Sequence, residues 1–121
     1  SEVIDLLNRV RQPFNVNNLA LAGALAALDD HAFLAASYES NRRGMEQIVT
    51  GLKRLGLDHI PSHGNFVTFE VADTAAVNGR LLKQGVIVRP IGGYGMPNHL
   101  RVTIGLEAEN QRFLEALQQS I

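Results

Sequence analysis

Residues 65–104 read NFVTFEVADTAAVNGRLLKQGVIVRPIGGYGMPNHLRVTI, and the order of elements in this stretch decides the fold. Asn65 to Val71 is rich in Phe and Val and fits a strand, with turn residues Pro61 to Gly64 before it. Asp73 and Thr74 open a helix that runs through Gln84 and closes at Gly85, a residue suited to the left-handed position past a helix end. Val86 to Arg89 reads as a second, short strand. The loop from Pro90 to His99 carries Gly92, Gly93, Gly95 and Pro97 and is too long for a minimal hairpin. Leu100 to Ile104 is the next strand. Its alternation sends Leu100, Val102 and Ile104 to one face and Arg101 and Thr103 to the other.

Working outward, Glu107 and Glu109 fall in the first turn of a last helix, where negative charge suits the positive end of the dipole, and Phe113, Leu114, Leu117 and Ile121 form its apolar face. On the other side, Asp30 is placed to cap a long helix in which Leu34, Tyr38, Asn41, Met45, Ile48, Leu52 and Leu55 recur at spacings of four and three, with Gly56 ending it. Asn17 and Asn18 are candidate caps for a preceding helix to about Leu28, which is Leu and Ala nearly all round and so calls for a covering surface. Ser1 to Val10 has helical spacing, and Pro13 breaks it within an irregular connection from Arg11 to Asn18. Helices first, then strands interleaved with helices, predict an α+β fold: a small two-layer α/β sandwich, its short mixed or antiparallel sheet carrying helices on one face.

The chain has 121 residues, the size of one domain, with 45% hydrophobic and 19% charged residues and a formal net charge of -1. No clustered basic face with interleaved aromatics marks a nucleic-acid partner, so none is expected. Without cysteine there is neither a disulfide nor a thiolate metal site, which suits a cytoplasmic protein. The longest apolar run, Leu19 to Leu28, is too short to cross a bilayer, so no membrane partner is expected either.

Arg101, and Arg89 at the end of its apolar run, are the candidate site residues. A planar guanidinium grips a carboxylate or phosphate through two parallel hydrogen bonds, although an arginine on an open sheet face is more often simply solvated. The glycines from Gly92 to Gly95 lie between strands rather than opening a helix, so they do not form a dinucleotide fingerprint. His31, His59, His63 and His99 lack metal-ligand spacing; His59 and His63 flank Pro61 in an expected surface turn, and His99 precedes a strand. Of the two lysines, Lys53 falls off the apolar stripe of its helix and Lys83 sits in a last helical turn, so neither has the pocket that activates a Schiff-base lysine.

Three stretches, Arg11–Asn17, Gly85–Pro90 and Tyr94–Gly105, resemble histidinol-phosphate aminotransferases, and Asn110, Phe113, Leu114 and Leu117 continue the pattern. The resemblance implies that residues 1–121 form the C-terminal small domain of a pyridoxal-phosphate-dependent enzyme of fold type I. A large domain carrying the cofactor, pyridoxal 5'-phosphate, and its lysine is expected to precede it, and the capless start at Ser1 fits that expectation. The resemblance further implies that Arg101 grips the substrate α-carboxylate and that Arg89 helps hold the phosphate of histidinol phosphate or the distal carboxylate of glutamate. Asn15 and Tyr94 lie in family motifs near the site, with no role assigned. Implied partners are a phosphorylated amino substrate, 2-oxoglutarate or glutamate, the protein's own large domain and a second copy in a homodimer. Leu106 departs from a pattern in which Pro often opens the last helix. Rival readings are an aromatic or other amino-acid aminotransferase or a decarboxylase of the same superfamily, a free-standing anion-binding module, and a purely structural domain.

Overall fold

The computed structural model describes residues 2–11 and 14–121, so the expected helix start at Ser1 and break at Pro13 lie outside the described residues. The chain divides into two compact units, one up to Ala35 and the other Ala36–Ile121.

The first unit holds helices α1 (Glu2–Val10) and α2 (Asn18–Asp29) and the start of α3 (His31–Arg54). Asn17 caps α2, its side-chain oxygen accepting from the Ala20 N–H at 2.9 Å, and Asp30 does the same for Phe33 at the start of α3. No residue of α1 or α2 is buried, and Leu19, Leu25 and Leu28 stand exposed. Among the described residues no single helix is long and apolar enough to cross a membrane.

The second unit contains the core. Four strands, β1 (His59–Ile60), β2 (Phe66–Glu70), β3 (Arg89–Pro90) and β4 (His99–Thr103), form one antiparallel sheet in the order β1-β2-β4-β3. Helix α4 (Thr74–Lys83) links β2 to β3, and α5 (Glu107–Gln118) follows β4. Because β4 is antiparallel to both neighbours, β2 and β3 run parallel with β4 inserted between them. One sheet face sends Val67, Phe69, Leu100 and Val102 into the core. There they meet Ile48 and Leu52 of α3, Val77 and Leu81 of α4, and Phe113, Ala116 and Leu117 of α5. Phe69 and Phe113 meet edge to face, ring centres 5.8 Å apart. The small α+β sandwich with helices on one face is therefore what forms, and its sheet is wholly antiparallel.

The helix ends follow local chemistry. Asp73 caps α4 by accepting from the Ala76 N–H at 2.9 Å. Gly56 and Gly85 take φ of 70° and 75°, and in each case the following residue reaches back five positions: Leu57 N–H to Leu52 O and Val86 N–H to Leu81 O. The long α3 stripe is only half used. Ile48 and Leu52 are fully buried, while Tyr38 is 72% exposed.

Three sequence expectations need correction. His59 does not lie in a surface turn: it opens β1, pairing with Phe69, a two-residue ladder too short to show as periodicity. The strand expected over Val86–Arg89 pairs only at Arg89 and Pro90. The Val86 N–H is committed to the end of α4, so the chain is still turning there, and Val88 is buried while Ile87 faces outward. His99 belongs to β4 rather than preceding it, and β4 ends at Thr103, with the Ile104 N–H still bonding Asn65 O at 2.8 Å.

The turn from β4 to α5 is pinned by one side chain. Asn110, only 2% exposed, accepts from the Gly105 N–H at 2.9 Å and donates to the Gly105 carbonyl at 3.0 Å, acting as a surrogate strand partner. Leu106 has no side-chain oxygen to cap α5; instead Glu109 accepts the Leu106 N–H at 2.7 Å. Helix α3 approaches this turn at Gly44, where a Cβ would collide with the side chains of Ile104 and Asn110. Replacing Asn110 by Leu leaves two backbone groups without partners. At about 1–3 kcal/mol for each unsatisfied buried group, Asn110→Leu is expected to lower the denaturant midpoint measurably with an unchanged m-value.

Candidate functional site

The sheet face opposite the core is the candidate site. Alternation places Arg101 there, between buried Leu100 and Val102. The register sets Arg101 directly opposite Thr68 of β2 on one side and directly opposite Arg89 of β3 on the other. Glu70 and His99 form the rung on one side of it, and Phe66 and Thr103 the rung on the other. Sequence spacing alone separated Arg89 and Arg101 by a long loop, and the antiparallel pairing of β3 with β4 closes that gap.

Two arginines facing each other across a rung have Cβ atoms about 4.5–5.5 Å apart, and like charges so placed disfavour the pairing. Glu70 stands one rung along on the same face, and neither arginine forms an ion pair among the described residues; the ion pair there joins Arg42 to Glu39 at 2.8 Å on α3. There the Arg42 hydrogen bond, with its positive charge, holds the Glu39 carboxyl below its usual range. Other arginines also spend their edges internally. Arg80 donates to Ser120 O at 2.7 Å and Arg112 to Gln84 O at 2.8 Å. Arg89 and Arg101 donate no hydrogen bond among the described residues. Pro90, beside Arg89, lacks an N–H, which fits the edge position of β3.

Arg101 has one neighbour of note that sequence reading missed. Its guanidinium carbon lies over the Phe66 ring, 4.8 Å from the centre. Phe66 is diagonal to Arg101 across β2 and β4, a relation that depends on register and is not readable from either strand alone.

Of the remaining sequence candidates, Tyr94 makes no hydrogen bond to this rung among the described residues, and Asn15 belongs to the first unit. Tyr94 ends the 3-10 turn Gly92–Tyr94, which closes on Gly95 at φ 77°, and it is exposed without a hydrogen bond or ring stacking to either arginine. Asn15 lies in the other unit, exposed between α1 and α2.

Two clefts lie elsewhere. One of about 610 Å³ lies between Ser40, Arg43, Gly44 and Gln47 of α3 and the start of α5, and one of about 630 Å³ runs along Val86, Ile87, Val102 and Ile104 beside α5. Neither includes Arg89 or Arg101. On the arginine rung Arg89 is exposed, Arg101 half-buried and Thr68 buried. The described residues form no cradle for pyridoxal phosphate. Lys53 and Lys83, the two lysines of the sequence, sit exposed in the last turns of α3 and α4, outside any pocket that could enclose a cofactor.

The chain belongs to the aminotransferase class I and II family, whose model matches residues 1–117. Within it, the chain is 74% identical over all of its length to histidinol-phosphate aminotransferase 1 of Dechloromonas aromatica, covering 33% of that protein. Among solved structures it superposes on the histidinol-phosphate aminotransferase of Sinorhizobium meliloti with a TM-score of 0.80 at 24% identity, over 95% of this chain and 33% of that one, a likeness of fold. It also resembles the aspartate aminotransferase of Thermus thermophilus crystallised with maleate, with a TM-score of 0.66 at 27% identity over 74% of this chain and 25% of that one. The chain spans about a third of the length of the curated relatives it matches.

Proposed function

We propose that this chain is the substrate-anchoring small domain of a histidinol-phosphate transaminase, which moves an amino group between histidinol phosphate and 2-oxoglutarate to give imidazole acetol phosphate and glutamate. The observation that carries the reading is the rung on which Arg89 and Arg101 face each other, neither guanidinium donating a hydrogen bond among the described residues. Such a pair is stable in the presence of an anion that bridges or shares it, and costly without one.

In this reading Arg101 receives the α-carboxylate of glutamate or 2-oxoglutarate through its guanidinium fork, and Arg89, at the sheet edge, takes the second carboxylate. Histidinol phosphate has no carboxylate, and its phosphate is held by Arg89 with Arg101 beside it. One pair of arginines then serves both half-reactions, because both substrates are doubly anionic or phosphorylated. The maleate held by the Thermus relative is a dicarboxylate of the same chemical kind. The family works with pyridoxal 5'-phosphate, which supplies an electron sink for the carbon next to the nitrogen. Since Lys53 and Lys83 offer it no pocket, we assign the cofactor and its lysine to a large domain outside these residues. Assembly with that domain and with a second subunit would cover the exposed apolar side chains of α1 and α2. A cysteine-free chain suits the cytoplasm, where fractionation of the source cells should find it.

The test compares residues 1–121 with the full-length protein for cofactor absorbance and for turnover of histidinol phosphate against aromatic and other amino acids. The full-length protein alone is expected to bind the cofactor and to prefer histidinol phosphate. Cofactor binding by residues 1–121 alone would overturn the division of labour, and preference for another amino donor would overturn the substrate.

A further inference from the structure

We propose that Phe66 is a positioning residue for Arg101, holding the guanidinium by its face so that its hydrogen-bonding edge stays presented to an oxyanion; this rests on the anion-anchoring reading above. Three observations carry it. First, Phe66 is a large aromatic on the wrong side of the sheet for packing: it alternates away from Val67, which is fully buried, and it is not part of the apolar cluster between sheet and helices. Secondly, the one charged group over its ring is Arg101, at 4.8 Å. Thirdly, the Arg101 guanidinium donates no hydrogen bond among the described residues, whereas Arg42, Arg80 and Arg112 are each fixed through their edges by hydrogen bonds.

Face and edge do different work in a guanidinium. The five N–H donors lie in its plane, so a hydrogen bond that orients the group consumes part of the fork it would offer a ligand. A ring beneath the plane orients it and consumes none. The need is greater here than for a lone arginine, because Arg89 faces Arg101 across the rung and repels it, and an unrestrained Arg101 would swing out into solvent. Ordering one long side chain in advance removes a cost that binding would otherwise bear, an effect of about three- to tenfold in affinity. The diagonal placement of Phe66, two residues along from the Thr68 that faces Arg101, gives the side chain the reach it needs.

The full-length protein is titrated calorimetrically with maleate, a dicarboxylate that does not turn over, in the wild-type, Phe66→Leu, Phe66→Tyr and Arg101→Ala forms, with a melting curve for each. Phe66→Leu is expected to weaken maleate about three- to tenfold with little change in melting temperature, and Phe66→Tyr, which keeps a ring, to bind within twofold of wild type. Phe66→Met, unbranched and of similar bulk, replaces the Leu variant should that one fail to fold, with the same expected loss. Wild-type affinity in the Leu or Met variant, or equal weakening in the Tyr variant, overturns the proposal. If Arg101→Ala abolishes binding while Phe66→Leu leaves it intact, positioning fails and the anion reading stands. If Arg101→Ala itself leaves maleate affinity unchanged, the anion reading fails and takes the proposal with it.

Discussion

On the proposed anchoring role, Arg101→Ala in the full-length protein is expected to lower kcat/KM for histidinol phosphate by about two to three orders of magnitude while leaving the fold as stable as before, or slightly more so. The activity loss follows from what the fork does: truncating one partner of a charge-assisted, largely desolvated pair typically costs about 2–5 kcal/mol, and each 1.4 kcal/mol is a factor of ten. The stability expectation has the opposite sign because the Arg101 side chain has no hydrogen bond among the described residues to lose, and its removal ends the like-charge opposition with Arg89. Arg101→Lys keeps the charge but not the planar fork, so it should recover only part of the rate. Steady-state kinetics with both substrates, paired with melting curves, checks this. Arg101→Ala within threefold of wild type with both substrates would remove Arg101 as an anchor for the substrate anion. A drop in melting temperature as large as the loss of rate would make it a structural residue.

That separation of activity from stability reflects how the site is built, and it also explains what could be read in the sequence. Signals that depend on a few neighbouring residues came through: Asn17, Asp30 and Asp73 as caps, Gly56 and Gly85 as helix ends, and the alternation that puts Arg101 opposite the core. Each is local, with the side chain satisfying a backbone group within five positions, or the pleat fixing which way it points. The errors fall where partners lie far apart in sequence. Val86–Arg89 has strand composition, but whether it pairs depends on where α4 releases the chain, and only Arg89 and Pro90 reach β4. His59 and Ile60 lack composition of their own and become a strand because β2 has an edge to offer. Phe66 was read as one more strand residue, since its relation to Arg101 exists only once β2 and β4 have a register. The two arginines were found individually, by type and by family resemblance, yet the fact that gives them meaning, their position on a single rung, is a property of the pairing.

The converse experiment is Phe69→Ala, which is expected to be the most damaging single change to the second unit. Phe69 is the neighbour of Thr68 on β2 but points the other way, fully buried, paired in register with Leu100 and set edge to face against Phe113 of α5. Its removal forfeits the transfer energy of a whole ring and leaves a cavity that strands on both sides prevent from collapsing, about 3–5 kcal/mol in all. Against a total stability of about 5–15 kcal/mol for a domain, that is a large fraction. The denaturant midpoint should fall steeply, and anion binding should weaken in parallel, because the rung carrying Arg89 and Arg101 exists only while β4 is held between β2 and β3. Phe69→Leu, which refills much of the space, should lose well under half as much. Equilibrium unfolding of the wild-type and both variants, read alongside maleate affinity at a temperature where each is folded, checks the linkage. If folded Phe69→Ala binds maleate as well as wild type, the register of the arginine rung does not depend on core packing behind it, and β3 and β4 must be held together by their own ladder alone.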